Sequence, residues 1–523
     1  MTSLRPLVAD VRGLWRFARG LRPFLAAPYT TESAMAFVRQ RIATRDRALL
    51  AMLEHGVFAH PRSPYLRLFR SAGCELGDVR RLVAVEGVEG ALAVLRDAGV
   101  YVTFEELKGR TPAVRGSQTF RFDERDFDNP MTGALPSSSS GGTRGRPTRV
   151  GIDLEHIAES AAPWAVWFAE HGWLSRPLVY WTPTHSGIVN GQLRCAKLGK
   201  PLSRWFAIVG MGPTRMGAIA AIVHRTVRHA TGMPRPELVP LDDAARVGEY
   251  LVELLRRGES PCINTYASAA MRIATAMGER GASLRGVAFL LRGEPLTEAR
   301  RATIEASGAS VAQTYGFAEG GPVAAQCATP ASADDVHVFL DGFAVIQRDV
   351  ALGDETVRAL LLTSLRRAAP RILLNAEIGD HAVVEHARCA CLFGEVGYAT
   401  RLRTVRSFDK LTAEGMTILA ADVAHVLESV LPARFGGVPT DYQLVEESEA
   451  GGLVRYCLRV DPALPPIDPE AIAGCFLAEL GRIRPAYGFM VSLWARTGTM
   501  RVVPARPLQT ARGKVLPFRR AGV

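Results

Sequence analysis

No uninterrupted apolar run of about 18 residues occurs in this 523-residue chain, so no transmembrane helix is predicted. The N-terminus lacks a compact apolar stretch followed by a small-residue cleavage site, so no secretory leader is expected. Cysteine is scarce: eight residues are scattered along the chain, which excludes a dense disulfide framework. It favours reduced thiols or metal ligands in the cytoplasm. Zinc-finger spacing and the aromatic-plus-basic signature of RNA-binding modules are both missing. The net charge of +11 is spread over many arginines, so it reads as general surface character with some steering of polyphosphate substrates, and no nucleic-acid partner is expected. There is no internal repeat, no Asp-Ser carrier signature, and no Gly-Lys-Ser/Thr ending to a glycine-rich loop, so an ordinary P-loop NTPase is excluded.

What is present suits a large soluble globular chain, 48% hydrophobic and 22% charged. Single cores stop growing at roughly 250–300 residues, so two or three domains are expected. Leu4, Leu7, Val8, Val11, Leu14, Trp15, Ala18 and Leu21 fall at helical spacing, with arginines opposite. That stripe predicts an N-terminal helix packed on its own domain rather than one lying on a membrane, so membrane association is not expected. Residues 30–110 read as mostly helical. Helices over Gly151–Trp173, Asp242–Arg257 and Pro295–Ala306 then alternate with apolar runs at Pro177–Trp181, Trp205–Gly210 and Val287–Leu291. Such alternation predicts an α/β unit with a largely parallel sheet. Past residue 408 the chain reads as a smaller α+β unit. The expected division is therefore a large domain of mixed sheets flanked by helices over 1–408 and a small α+β domain over 409–523.

Three segments carry candidate chemistry. The run Ser140-Gly141-Gly142-Thr143-Arg144-Gly145-Arg146-Pro147 combines small residues, which let backbone N–H groups approach phosphates, with hydroxyl and guanidinium donors. Its alternative reading is a flexible linker. Arg292-Gly293-Glu294-Pro295 follows one apolar strand, and Tyr315-Gly316-Phe317-Ala318-Glu319-Gly320-Gly321-Pro322 follows another apolar stretch, where ligands of open α/β sheets sit. A tyrosine there stacks on a base, and a carboxylate holds Mg²⁺ through oxygen. Separately, Cys327, His337, Cys389 and Cys391 form a Cys₃His set with Cys-x₉-His and Cys-x-Cys spacing, which suits structural zinc. The competing reading is three cysteines packed as small hydrophobes beside an unrelated histidine.

Taken together, the 140–147 loop, Tyr315-Gly316-Phe317-Ala318-Glu319 and the C-terminal Pro507-Leu508-Gln509-Thr510-Ala511-Arg512-Gly513-Lys514 resemble, in order and separation, the signatures of the adenylate-forming (acyl-CoA synthetase) superfamily. Pro64-Tyr65, Leu76-Gly77-Asp78, Glu319-Gly320-Gly321-Pro322 and Cys389-Ala390-Cys391 are most similar to its phenylacetate–CoA ligase branch. The resemblance implies activation of an aryl or acyl carboxylic acid by ATP and Mg²⁺ as an adenylate. The acyl group then passes to a thiol, CoA or a separate acyl-carrier protein. It implies that the 140–145 loop holds phosphates, Tyr315 packs on adenine, Glu319 ligates Mg²⁺, Asp380 binds the ribose hydroxyls, Arg406 assists at the nucleotide, and Lys514 enters for adenylation only. The chain departs from the pattern at Gly141, Arg144, Ala318, Asn375 and Val405. Those departures keep two other readings open: transfer of the adenylate to an amine, and a nucleotide-binding homologue that has lost ligase activity. Trp181, His185, Asn190, Phe289 and Phe317 are candidates to line the acid pocket.

Overall fold

A computed structural model describes residues 5–132, 137–139, 149–183, 186–208, 215–317, 320–352, 355–407, 410–413, 416–437, 439–449, 452–465, 468–484, 487–508, 515 and 517–520. Its centre is one large mixed sheet. From edge to edge the strands are Glu237–Leu238, Arg204–Ala207, Leu178–Thr182, Cys262–Thr265, Ala288–Leu291, Ser310–Phe317, Gly321–Ala325, Val336–Val338, Thr400–Ser407, Ala376–His386, Glu355–Ser364 and Phe343–Leu352. The first six pair in parallel and the rest antiparallel. The chemistry-bearing residue Tyr315 stands where the two halves join.

The parallel half is buried on both faces, which is why its strands are near-continuous apolar runs. Successive side chains point to opposite faces. Leu178 and Tyr180 accordingly enter one core, with the helices Arg5–Ala26, Leu154–Glu170 and Ser186–Lys197. Val179 and Trp181 enter a second core, with the helices Ala244–Arg256 and Ala267–Glu279. A third core joins the antiparallel half to Arg45–Met52, Pro64–Ser71 and Leu76–Asp97. The expected α/β alternation is therefore present, and the mostly helical stretch over 30–110 is helical as anticipated.

The N-terminal helix does pack on its own domain, and among the residues whose side chains are described only part of the assigned stripe faces the core: Leu14 packs on it and Leu21 is buried, whereas Trp15 and Ala18 are exposed. Phe17, Leu21 and Phe24 are buried, whereas Trp15 is 63% exposed with the Arg19 guanidinium over its ring. The two phenylalanines, outside the assigned stripe, offer more apolar area than Leu14 or Ala18 and turn the helix toward them. No helix among the described residues is long and apolar enough to cross a membrane.

Beyond residue 410 a separate four-stranded sheet forms, in the order Met500–Pro504, Val454–Val460, Tyr442–Ser448, Phe518–Arg520. The helices Pro469–Ile483 and Gly488–Thr497 pack against it. Asp422 is held by Arg484 and by the Tyr487 hydroxyl at 2.6 Å. This unit meets the large one at Arg300, whose Nε donates to the Gly452 carbonyl at 2.9 Å.

Candidate functional site

The segment 310–317 ends the parallel half with a register shift between Tyr315 and Gly316. Gly316 is required there by space. A Cβ at that position would lie 2.4 Å from the Gly321 carbonyl oxygen on the returning strand. The tight return leaves Tyr315 half-buried against the core, and its hydroxyl donates to Asp380 Oδ2 at 3.0 Å. Four strand steps separate the two residues in the sheet. In a flat sheet that is about 19 Å, more than two side chains span. The sheet therefore curls, bringing the Tyr315 and Asp380 segments onto one site.

Asp380 is buried, and its other oxygen accepts from the Ser407 hydroxyl. Asp380 and Ser407 are direct partners on adjacent strands. Arg406, the residue selected from the sequence, pairs with His381 and sends its guanidinium to Asp334 at 2.9 Å. Strand alternation explains the difference: Ser407 shares the face of Asp380, and its neighbour Arg406 takes the other. Sequence reasoning missed Ser407 and Asp334. The period-2 register of Val405–Ser407 against the Asp380 strand is the signal that would have found Ser407.

Gly293 and Glu294 have structural duties. Gly293 has φ +76°, and a Cβ there would crowd the Tyr266 ring at 3.0 Å, so glycine is needed. The Glu294 carboxylate accepts from the Ser268 backbone N–H at 2.8 Å and from the Ser268 hydroxyl at 2.9 Å, and it pairs with Arg300 at 3.3 Å. It thus caps the first turn of the helix Ala267–Glu279. Pro295 gives its carbonyl to Arg300 at 2.9 Å. This segment holds the strand end in place, and Glu294 is committed to Ser268 and Arg300.

Asn375, one of the departures, is also structural. It is fully buried at φ 47°, and its amide donates to the Leu92 and Val100 carbonyls at 2.8 and 3.1 Å. Among the suggested acid-pocket residues, Trp181 and Phe289 are core: both are fully buried, and the Trp181 indole donates to Val239. Asn190 is nearly buried with an unpartnered Oδ1, and Phe317 is half-buried.

Ser140, Gly141, Gly142, Thr143, Arg144, Gly145, His185, Glu319 and Lys514 lie outside the described residues. The flanks of the 140–148 loop are described. Ser137–Ser139 pairs antiparallel with Arg149–Gly151.

Cys327, His337, Cys389 and Cys391 converge as a group, with their ligand atoms all within 4.8 Å of one another. His337 is fully buried, and its Nδ1 faces the Tyr398 carbonyl at 3.0 Å. A carbonyl only accepts, so Nδ1 carries the proton and Nε2 presents its lone pair toward Cys391, 3.7 Å away. Metal-ligating histidines are oriented in this way. The Gly394 N–H donates to Cys391 Sγ at 3.4 Å, and Gly394 packs so closely on the Cys389 carbonyl that no Cβ fits. Three thiols and one imidazole brought together by a tight turn fit a closed tetrahedral site.

No protein-family model and no curated protein match the chain. Solved structures do resemble it, at low overlap. An amide bond synthetase, Mcba, from Marinactinospora thermotolerans is 14% identical with TM-score 0.38, covering 91% of this chain and 92% of that one. An NRPS protein containing adenylation and PCP domains is 14% identical with TM-score 0.38, covering 87% and 93%. The anthranilate CoA ligase AuaEII, in complex with anthranoyl-AMP, is 12% identical with TM-score 0.35, covering 81% and 74%. Overlaps of this size give no residue-by-residue correspondence, so the site stands on this chain's own residues.

Proposed function

We propose that this protein activates a carboxylic acid with ATP, forming an acyl- or aryl-adenylate and pyrophosphate, and passes the acyl group to a thiol, CoA or a carrier protein. The observation that carries the reading is the contact between Tyr315 and Asp380. Two segments resembling the same superfamily, 65 positions apart in sequence, meet through one hydrogen bond at the junction of the sheet's two halves. Asp380 offers a buried carboxylate able to accept from ribose hydroxyls, and Tyr315 offers a ring for a base to pack on. Ser407 holds the Asp380 carboxylate in place; Arg406, tied to Asp334, positions the strand.

The other roles are assigned from the motifs. The 140–145 loop would receive the phosphates, and Lys514 would meet the carboxylate and α-phosphate oxygens. Glu319 would hold Mg²⁺, which neutralises phosphate charge. The reaction brings two anions together, so positioning and fixed positive charge supply most of the rate. Lysine stands only at positions 108, 197, 200, 410 and 514 in this arginine-rich chain. Lys197 and Lys200 are spent on main-chain carbonyls and Lys108 on Glu124. Lys514 lies in the unit over 409–523, which we take as a domain that alternates between the half-reactions. The Cys₃His group would bind one structural zinc, pinning Val336–Val338 to the 389–394 turn, with no position left for water.

The test is acid-dependent ATP–pyrophosphate exchange across aryl and aliphatic acids, followed by addition of CoA. Exchange with at least one acid and thioester formed on CoA addition is the expected result. Exchange without thioester would redirect the acyl group to a carrier or an amine, and binding of ATP without exchange for any acid would favour the inactive homologue.

A further inference from the structure

Two guanidinium groups near the adenylate site, one buried and one half-buried, have no anionic partner among the described residues. Arg194, on the helix Ser186–Lys197, is 6% exposed, and its Nε meets no acceptor. Its guanidinium lies over the Trp164 ring at 5.4 Å. One terminal nitrogen is 4.0 Å from where a Cβ of Gly321 would sit, two residues past Glu319. Arg292 directly follows the strand Ala288–Leu291, at the carboxyl end where α/β sheets place ligands. Its Nε and Nη2 are buried without an acceptor.

The two guanidiniums act on each other and on the Tyr180 phenol, so they share one neighbourhood. Burial, with Arg292 and Arg366 nearby, lowers the Arg194 pKa to about 10. Tyr180 and Cys195 oppose the shift, and burial keeps both neutral by raising their pKa values. Two buried acids have other partners: Asp341 serves Arg366 at 3.4 Å and the Tyr398 hydroxyl at 2.5 Å, and Glu294 serves Ser268 and Arg300. Desolvating a lone cation costs several kcal/mol, so buried charges are normally paired. Two cations together, with no acid paired to either among the described residues, suit an anion from outside the chain.

We propose that Arg194 and Arg292 recognise a second anionic group on the acid substrate, so that the preferred substrate is a dicarboxylic acid or an aryl acid with an anionic substituent. The inference rests on the adenylate reading. The reacting carboxylate loses its own charge when it becomes the acyl end of the mixed anhydride, whose remaining negative charge sits on the phosphate, so it could not stay paired with both cations in the intermediate. A second carboxylate keeps its charge through both half-reactions and stays paired. Nucleotide phosphate is the alternative source of the same negative charge, and the test separates the two.

The test uses matched acids, phthalate with benzoate and glutarate with butyrate. Binding is measured by calorimetry on the full chain without ATP, and ATP–pyrophosphate exchange is measured in parallel. In wild type, the better diacid should bind at least 30-fold more tightly than its monoacid. Arg194→Met and Arg292→Met should each abolish that preference while changing monoacid and ATP affinity less than threefold, and Arg194→Lys should restore part of it. Monoacids binding as well as diacids, or no diacid binding at all, would overturn the proposal. So would an Arg194→Met variant that loses ATP affinity in place of diacid affinity, which assigns the arginines to phosphate. Diacid binding that depends on both arginines but gives no exchange would leave the anion site standing and sink the adenylate reading.

Discussion

His156 is buried with its Nδ1 unpartnered, and burial beside Arg366 and Arg194 lowers its pKa to about 3. His224 is lowered by burial, with a contribution from Arg228, to about 4. Both are neutral in the folded state and gain protons more readily when unfolded. Their contribution to stability is complete above the unfolded value near 6.5 and is lost as pH falls through the window down to those folded values. Each should cost about 2 kcal/mol by pH 5. Thermal melts from pH 7.5 to 5 should show a falling midpoint, and His156→Gln should flatten the slope; an unchanged slope contradicts the assignment. Asn375 is a second test at this scale. Asn375→Ala removes two buried amide donors, leaves the Leu92 and Val100 carbonyls unpaired, and places alanine at a positive φ. A loss of about 2–4 kcal/mol in denaturant unfolding is expected. A cost below about 1 kcal/mol would show that the site relaxes freely.

Between neighbouring elements, the return from the strand Ser310–Phe317 to Gly321–Ala325 positions Tyr315 against Asp380. Gly316→Ala forces a methyl group against the Gly321 carbonyl oxygen, a backbone atom that cannot swing aside. The strands must separate, and nucleotide affinity should drop at least tenfold while the global fold persists; equilibrium ATP binding beside a far-ultraviolet spectrum measures both. Unchanged affinity would remove this turn from the site. The strands here were legible because burial on both faces leaves plain apolar runs, as at Leu178–Thr182 and Ala288–Leu291. The helix stripe at Trp15 was misread because helical spacing fixes a face but not which large side chains, here Phe17 and Phe24, win the core. The pairing of Ser407 with Asp380 depended on register between strands that place residues 27 positions apart opposite each other. Glu294 was read as a ligand residue because its bond to Ser268 joins positions 26 apart, which no local pattern records.

Across the whole molecule, the zinc group and the C-terminal unit each make a prediction. Cys389→Ser should lower zinc content and melting temperature together, with a smaller effect on exchange, because the proposed zinc would be structural, holding Val336–Val338 to the 389–394 turn. Elemental analysis of untagged protein showing well under one zinc per chain, with normal stability, would leave the four residues as ordinary side chains. Lys514→Ala should abolish adenylation while thioester formation from supplied acyl-AMP persists. Equal loss of both steps with the fold intact would rule out alternation of the C-terminal unit. The most direct measurement is a single turnover with excess protein, one accepted acid, ATP and Mg²⁺, without thiol, read by mass spectrometry of the quenched mixture. The account predicts acid–AMP and pyrophosphate in equal amounts, approaching the ATP supplied, and their loss in Asp380→Ala. Formation of ADP and phosphate, or AMP released without dependence on the acid, would contradict it.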